Sequence, residues 1–287
     1  MNVFSVTNIT EMRSIFHFNR ISLEIADSIR RLATGQRIIT GKDDPAGLMS
    51  RDIMRGNIHG IQAAQRNTVR ANEMLSAAES GLAHISRMLV GDHTDPNDNG
   101  LLGLVLDQTL PAEIRQQQID DMLTMIDRTA RGTSHNGQRL LDGSMSEMLF
   151  QLGHNVESSV QHRMSIPKMT TTGLGGESGV LYDLREKIDL NTDAGRAQAL
   201  AIVNEAINQV AMQRGTIGGV QRFVLDANAR SLETQLEKTM EAEGAISNVD
   251  MALESARLSR AELLAELAMR SILHSRNFER FKIGLLL

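Results

Sequence analysis

The chain has 287 residues, a formal net charge of −5, no Cys and only 3% aromatic residues. The lack of Cys excludes disulfide scaffolds, thiol nucleophiles and Cys-based zinc sites, and the mild acidity argues against a nucleic-acid groove, which needs a clustered basic excess. No apolar run reaches the roughly 18 residues of a membrane-spanning helix, so we predict no membrane span. The abundance of Leu, Ile, Met and Ala beside Arg, Glu and Gln is typical of long helices that pack through aliphatic seams.

The N-terminal segment has an apolar residue every three or four positions, at Ile21, Ile25, Ile29 and Leu32. This spacing predicts an amphipathic helix that ends at Gly35, a residue suited to the left-handed conformation that follows a helix. The pair Asp44-Pro45 predicts the start of a second helix, because Asp44 can cap its free N–H groups and Pro45 suits the first helical position.

The clearest periodicity lies further along this second helix. Alternating steps of four and three positions join Ala71, Leu75, Ala78, Leu82, Ile85 and Leu89. They form a heptad seam about 30 Å long. A long seam needs a partner, and the other half of the chain is the nearest one.

The middle of the chain changes character. Residues 91–100 have the composition of a loop, and a further helix is predicted after Pro111. Apolar residues alternate with polar ones in short extended pieces, which predicts a small β-hairpin within residues 145–168. The Thr- and Gly-rich residues 170–179 predict an exposed tip or a linker.

The pattern is helical again from Asp193 onwards, and the last helix carries Leu253, Leu258, Leu263, Leu267 and Ile272. We therefore predict a mainly α fold, a long antiparallel helical hairpin or coiled-coil rod formed by the N- and C-terminal halves with a small central β-hairpin region. Residues 1–43 with 247–287 are predicted to form a terminal helical inner domain. Residues 44–176 with 177–246 are predicted to form a helical rod domain.

The sequence carries no metal, nucleotide or nucleophile motif. Asp43 and Asp44 could form a carboxylate pair for acid–base chemistry, but their place before a helix makes capping the better interpretation. The His residues are scattered, and a metal role for His154 and His162 needs a third ligand that the sequence does not place. We predict that the chain has no catalytic, cofactor-binding or metal-binding residues and that the protein is not an enzyme.

The apolar stripes at the two chain ends differ from the central seam. The sequence ends in FKIGLLL, which leaves apolar groups at a position that normally frays, and exposed apolar patches mark assembly surfaces. We therefore predict an assembly role for the inner-domain seams, which are Ile21, Ile25, Ile29 and Leu32 with Leu253, Leu258, Leu263, Leu267 and Ile272. The seam from Ala71 to Leu89 is predicted to be the intramolecular core of the rod.

Several sequence blocks, in order, resemble a known family. They include SIRRLATGQRI at 28–38, KDDPAGL at 42–48, IQAAQRN at 61–67, AAESGL at 77–82, NGQRLLDG at 136–143, FQLG at 150–153 and ARLSRAELL at 256–264. Through these blocks nearly the whole chain resembles bacterial flagellin, the subunit of the flagellar filament. Because only residues 170–179 follow the hairpin as a linker, the resemblance implies a short form that lacks the outer variable domains.

The resemblance also implies a role. In flagellins both termini form an inner domain that is disordered in the monomer and pairs as helices in the filament. The implied partners are other copies of the chain in a helical homopolymer, a flagellar export chaperone, and the hook-associated and cap proteins. Type III export implies a secreted, extracellular protein of the bacterial flagellum. Gly91 stands about where the family has an Arg that the innate flagellin receptor recognises, which argues against recognition by that receptor.

Three alternatives remain. The chain could be a hook–filament junction (hook-associated) protein or a minor flagellin, which have related terminal helices. An enzyme on a flagellin scaffold would need an inserted domain with a zinc motif, and the sequence has neither. An intracellular coiled-coil adaptor would explain the seams but not the ordered blocks.

Overall fold

A computed structural model of the chain describes residues 9–92, 99–145, 147–153 and 161–286, with side chains described from residue 12 to residue 277. The predicted loop around 93–98, the hairpin residues 154–160 and the side chains of the C-terminal FKIGLLL lie outside these residues. The elements are, in chain order, α1 (Ile9–Thr34), α2 (Pro45–Val90), α3 (Gly100–Leu106), α4 (Ala112–Gly132), β1 (Ser134–His135), β2 (Gln138–Arg139), β3 (Met148–Gln151), β4 (Gln161–Met164), β5 (Gly175–Gly176), β6 (Gly179–Val180), a 3₁₀ helix (Leu181–Leu184), α5 (Asp193–Gly219), a π-helical segment (Val220–Leu225), α6 (Asp226–Ser247) and α7 (Met251–Leu286).

The predicted helix boundaries at 34 and 45 are confirmed. Gly35 follows α1 with φ of +68°, the left-handed conformation that ends a helix. The Asp44 carboxylate accepts a hydrogen bond from the Gly47 N–H at 2.9 Å and so caps α2. None of the described helices combines the length and the apolar character that a membrane span requires.

The chain divides into two compact units. Unit 1 comprises residues 1–58 and 237–287, and unit 2 comprises residues 59–236. Both boundaries lie inside a helix, about 10 to 15 residues from the predicted boundaries at 43 and 247. Sequence patterns favour a break between helices as a boundary, whereas packing separates these units at points where the helix itself continues.

The core of unit 2 is built on the heptad seam of α2. Ala71, Leu75, Ala78, Leu82, Ile85 and Leu89 are all buried, in one cluster with residues of α3, α4 and α5. Hydrogen bonds from Arg214 to Glu79 at 2.8 Å and from Asn228 to Thr68 at 3.1 Å show that α2 runs antiparallel to the C-terminal helices. The mainly α fold with paired N- and C-terminal halves is therefore confirmed.

The central β region consists of two-stranded antiparallel pairs. β1 and β2 are joined by Asn136 and Gly137, both with positive φ, as the tight turn of a two-residue hairpin requires. β3 pairs with β4 so that Met148 lies opposite Met164, which confirms strands within 145–168. Gly81 lets α2 approach this region closely, because a Cβ at that position would meet the side chains of Thr133 and Leu141.

One sequence-based prediction was wrong in this region, and one helix was not predicted. The helix α3 lies between the predicted loop at 91–100 and the helix predicted after Pro111, and its Leu101 and Val105 are buried. Residues 170–179 are not an exposed linker, because Thr171 and Leu174 are fully buried. The Asp127 carboxylate accepts hydrogen bonds from the Thr171 N–H and hydroxyl at 2.9 and 3.0 Å. Gln209 of α5 also accepts a hydrogen bond from the Gly175 N–H at 3.1 Å, so side chains of α4 and α5 together fix a segment whose composition suggests flexibility.

Candidate assembly surface

The terminal helices α1 and α7 pack against each other in unit 1. Backbone hydrogen bonds join the segments that adjoin them, from the Arg37 N–H to the Ser247 carbonyl at 2.7 Å and from the Val249 N–H to the Gly35 carbonyl at 3.0 Å. The Ser28 side chain bonds Glu254 further along, so the two helices are antiparallel. Asp250 caps α7 by accepting hydrogen bonds from two N–H groups of its first turn, and this cap starts the helix.

The inward faces of the pair follow a heptad spacing. On α1 the less exposed positions include Phe18, Ile21, Ile25, Ser28 and Leu32, and on α7 they include Glu254, Leu258, Ala261, Ala265, Ala268 and Ile272. Three of the six α7 positions are Ala. Small residues let the helix axes approach closely, but each buries less apolar area than a Leu.

Among the positions just given, Glu254 is the one that carries a charge, and only 2% of it is exposed. Its Oε1 accepts a hydrogen bond from the Ser28 hydroxyl at 2.8 Å and lies 3.6 Å from Arg31. Its Oε2 lies 3.3 Å from Arg257. A buried carboxylate is tolerated when it is paired and hydrogen-bonded in this way, so the cluster favours one register of α1 against α7.

The predicted inner-domain residues lie on more than one face. Ile21 and Ile272 are buried, and Ile25, Leu32 and Leu258 are half-buried. In contrast, Ile29, Leu253, Leu263 and Leu267 are between 51 and 63% exposed. The sequence pattern selected the bulkiest apolar residues of α7, whereas the stripe that faces α1 passes through alanines and Glu254.

The outer side of the pair is strongly apolar. Fifteen of the 24 large apolar side chains that are exposed in the described part of the chain lie in unit 1, the smaller unit. We call those on α1 and α7 the terminal apolar surface, which comprises Met12, Ile15, Phe16, Leu23, Ile29, Met251, Leu253, Leu263, Leu264, Leu267, Met269 and Leu273. Between residues 263 and 273 they occupy several sides of α7, and a helix that is apolar on several sides is normally buried.

The remaining candidates for chemistry have structural roles. Asp44 caps α2, and Asp43 accepts hydrogen bonds from the N–H groups of Thr40 and Ile39 at 2.8 and 3.1 Å. The bond from Thr40 is the largest of the influences that lower the pKa of Asp43 below its usual value, so this carboxyl is an ionised acceptor. No group of three or more His, Cys, Asp or Glu that could hold a metal ion occurs among the residues with described positions.

Comparison with known families gives two matches along the chain. A family model described as the bacterial flagellin N-terminal helical region matches residues 6–146, and one described as the bacterial flagellin C-terminal helical region matches residues 200–276. The first match covers all of α1–α4, and the second covers the larger part of α5–α7. Both partners of the terminal helix pair are therefore included.

Two of the relatives match over most of their own length. The flagellin of Bacillus subtilis (strain 168) is 26% identical over 280 residues, which cover 90% of this chain and 91% of the relative. The flagellar filament 30.7 kDa core protein of Treponema maltophilum is 26% identical over 253 residues, 85% of each chain. A solved structure of a flagellar hook-associated protein from Vibrio parahaemolyticus covers 72% of this chain and 100% of that one, with a TM-score of 0.57 at 16% identity. It shares the fold.

Proposed function

Because this chain belongs to the bacterial flagellin family, we propose that it is a structural subunit that polymerises with copies of itself into the flagellar filament. One observation carries the proposal beyond family membership. The terminal apolar surface leaves large apolar side chains exposed on several sides of α7, more than its pairing with α1 covers.

The physical argument concerns how this surface is removed from water. A fully buried Leu or Met side chain contributes about 1.5–3 kcal/mol, so a side chain that is half exposed leaves roughly 1 kcal/mol unused. Twelve such side chains therefore make association favourable by on the order of 10 kcal/mol before the entropy of association is subtracted. Contacts between unlike patches on neighbouring copies do not close into a ring when the rotation between copies fails to close, and they then produce a helical polymer.

The relatives support a filament subunit of short size. The names of the Bacillus and Treponema proteins describe a flagellin and a flagellar filament core protein, and the chain spans 91% and 85% of their lengths. A hook–filament junction protein is less favoured, because its support is a similarity of fold at 16% identity. The amount of the protein in appendages sheared from cells separates a filament subunit from a junction protein or a minor flagellin.

We also propose that the subunit is exported by the flagellar type III pathway and works outside the cell with an export chaperone and the hook-associated and cap proteins. Family membership supports this route. The structure adds a physical reason for a chaperone, because an unassembled subunit presents the terminal apolar surface to solvent and exposed patches of this kind promote aggregation.

The test is polymerisation of the purified full-length protein, followed by light scattering and electron microscopy after seeding with filament fragments. We expect helical filaments from the wild-type chain. Removal of residues 265–287, which deletes the second half of α7, should leave a monomer that does not polymerise. Filaments formed by this truncated chain would contradict the proposal.

Point variants test whether the terminal apolar surface itself is required for polymerisation. The double variant L263Q/L267Q makes two exposed positions of α7 polar without touching its inward face, so the helix pair should stay folded while polymerisation is lost. Leu106→Gln is the control, because Leu106 is a similarly exposed Leu of unit 2. If the control is as defective as the double variant, the terminal apolar surface has no special role in assembly.

A further inference from the structure

The methionines of the chain are unevenly exposed. The sequence has 16 Met and no Cys, so thioethers take the place of thiols as the side chains most open to mild oxidants. Met148, Met164 and Met169 lie in the core of unit 2, only 2–5% exposed. Met12, Met251 and Met269 on the terminal helices, which we call the terminal methionines, are between 46 and 54% exposed.

The terminal methionines are part of the terminal apolar surface. Met251 is the first residue of α7, directly after the Asp250 cap, and Met269 lies in the stretch of α7 that is apolar on several sides. Met12 occupies the first part of α1. Under the proposed function, this is the surface from which assembly removes water.

We propose that the terminal methionines are an oxidation site through which peroxides block the incorporation of free subunits into the filament. The inference rests on the proposed function. In the reaction, a lone pair of the thioether sulfur attacks one oxygen of hydrogen peroxide, an S–O bond forms and the O–O bond breaks. The departing hydroxide takes up the proton of the hydroxyl now bound to sulfur and leaves as water, so that the sulfur is oxidised to the sulfoxide and the peroxide is reduced.

The consequence for assembly follows from polarity. A sulfoxide is polar where the thioether is apolar, and burying a polar oxygen without a hydrogen-bond donor is unfavourable. We expect oxidation of the terminal methionines to raise the protein concentration needed for polymerisation by about 10- to 100-fold. Subunits already in the filament should be protected, because the same contacts that bury these side chains exclude peroxide from them.

The experiment treats dilute full-length monomer with hydrogen peroxide, removes the excess with catalase and maps sulfoxides by peptide mass spectrometry. Seeded polymerisation is then compared between four samples. These are the untreated wild type, the oxidised wild type, the oxidised variant M12L/M251L/M269L and the oxidised variant M125L/M212L. Met→Leu conserves apolar volume, and Met125 and Met212 are the exposed methionines of unit 2.

We expect the oxidised M12L/M251L/M269L variant to polymerise. The oxidised wild type and the oxidised M125L/M212L variant should not polymerise. Treatment of the oxidised wild type with methionine sulfoxide reductases should restore its polymerisation. The inference is overturned if wild type with sulfoxide at all three terminal positions polymerises normally, or if both variants are equally sensitive. Failure of the untreated wild type to polymerise would instead overturn the proposed function.

A second measurement needs no variant. Pre-formed wild-type filaments and monomer receive the same dose of peroxide, and the rate of sulfoxide formation is measured at each Met. The terminal methionines should react at least about tenfold more slowly in the filament than in the monomer, because burial limits the access of the oxidant. Equal rates at these positions in both samples would refute the inference.

Discussion

Replacement of Glu254 by Ala tests how the terminal helix pair is held together. The change removes the acceptor of the Ser28 hydroxyl and the counter-charge of Arg31 and Arg257. Ser28 is buried, and a buried donor without a partner costs about 1–3 kcal/mol. Arg31 and Arg257 keep 29 and 60% of their side chains exposed, so water solvates them and each lost ion pair adds at most about 1 kcal/mol.

We therefore expect E254A to lower the free energy of opening of the pair by about 2–3 kcal/mol, and amide hydrogen exchange in α1 and α7 to become ~30- to ~160-fold faster. E254Q keeps an acceptor for Ser28 in nearly the same volume and should cost only about 1 kcal/mol. Amides in the core of unit 2 are the internal control and should exchange at the wild-type rate. The measurement is hydrogen–deuterium exchange read by mass spectrometry.

A double-mutant cycle isolates the hydrogen bond itself. Ser28→Ala should cost less in the E254A background than in the wild type, by about 0.5–1.5 kcal/mol of coupling. If the amide hydrogens of α1 and α7 exchange within twofold of the wild-type rate in both E254A and E254Q, the reasoning is refuted. The register of the pair would then depend on its apolar contacts alone.

Four further changes test other parts of the fold. Gly81→Ala should destabilise the protein by about 1–3 kcal/mol, because the close approach of α2 to the β region leaves no room for a Cβ. Gly56→Ala should stabilise the protein by about 0.5–1 kcal/mol, because a Cβ at that position meets no atom within 4 Å and the change reduces the entropy of the unfolded chain. Thermal unfolding of each variant measures the sign of the effect. Asp127→Ala should cost about 1–3 kcal/mol and increase proteolysis within residues 170–179, because it leaves buried donors unpaired. Hydrogen bonds from the Lys187 ammonium and the Val180 N–H lower the pKa of Asp183 below its usual 3.8. The stabilisation by ionised Asp183 is therefore fully present above pH 3.8 and is lost as the pH falls through the lowered pKa. Urea unfolding of Asp183→Asn should therefore differ from wild type at neutral pH and converge with it in strong acid.

Sequence patterns predicted most of the helices because they depend on local rules. The Asp44 cap, Gly35 after α1 and the heptad from Ala71 to Leu89 all concern neighbours in the chain or one face of one helix. In each case the structure has the expected capping bond, backbone angle or burial. Capping and periodicity act within a few residues, so a single sequence contains the information that they need.

The inward face of α7 was harder to predict because residue size misleads there. Leu263 and Leu267 are larger and more apolar than Ala265 and Ala268, yet the leucines are exposed and the alanines lie nearer α1. Close approach of two helices favours small residues, and only the partner helix decides which face is used. Glu254 had one usable signal, since it stands on the heptad that continues through Leu258 and Ala261, where an acidic residue must have a partner.

The prediction of an exposed linker at residues 170–179 was wrong for a related reason. Thr and Gly favour turns and loops on average, but the conformation here depends on Asp127, 44 positions away from Thr171. Composition carries no information about such a partner.

The contact between Ser28 and Glu254 joins residues 226 positions apart. Closing a loop of that length costs about 5 kcal/mol of chain entropy if no other structure has formed, and contacts of long sequence separation form late and slowly. During synthesis, α1 is made before α7, so α1 has no α7 to pair with until the chain between them has been translated. A chain that is truncated before α7 therefore never forms the paired helices, whatever the state of its unit 2. Pairing of α1 with α7 thus acts as a check that the chain between them has been made, because the two helices meet only when both have been translated.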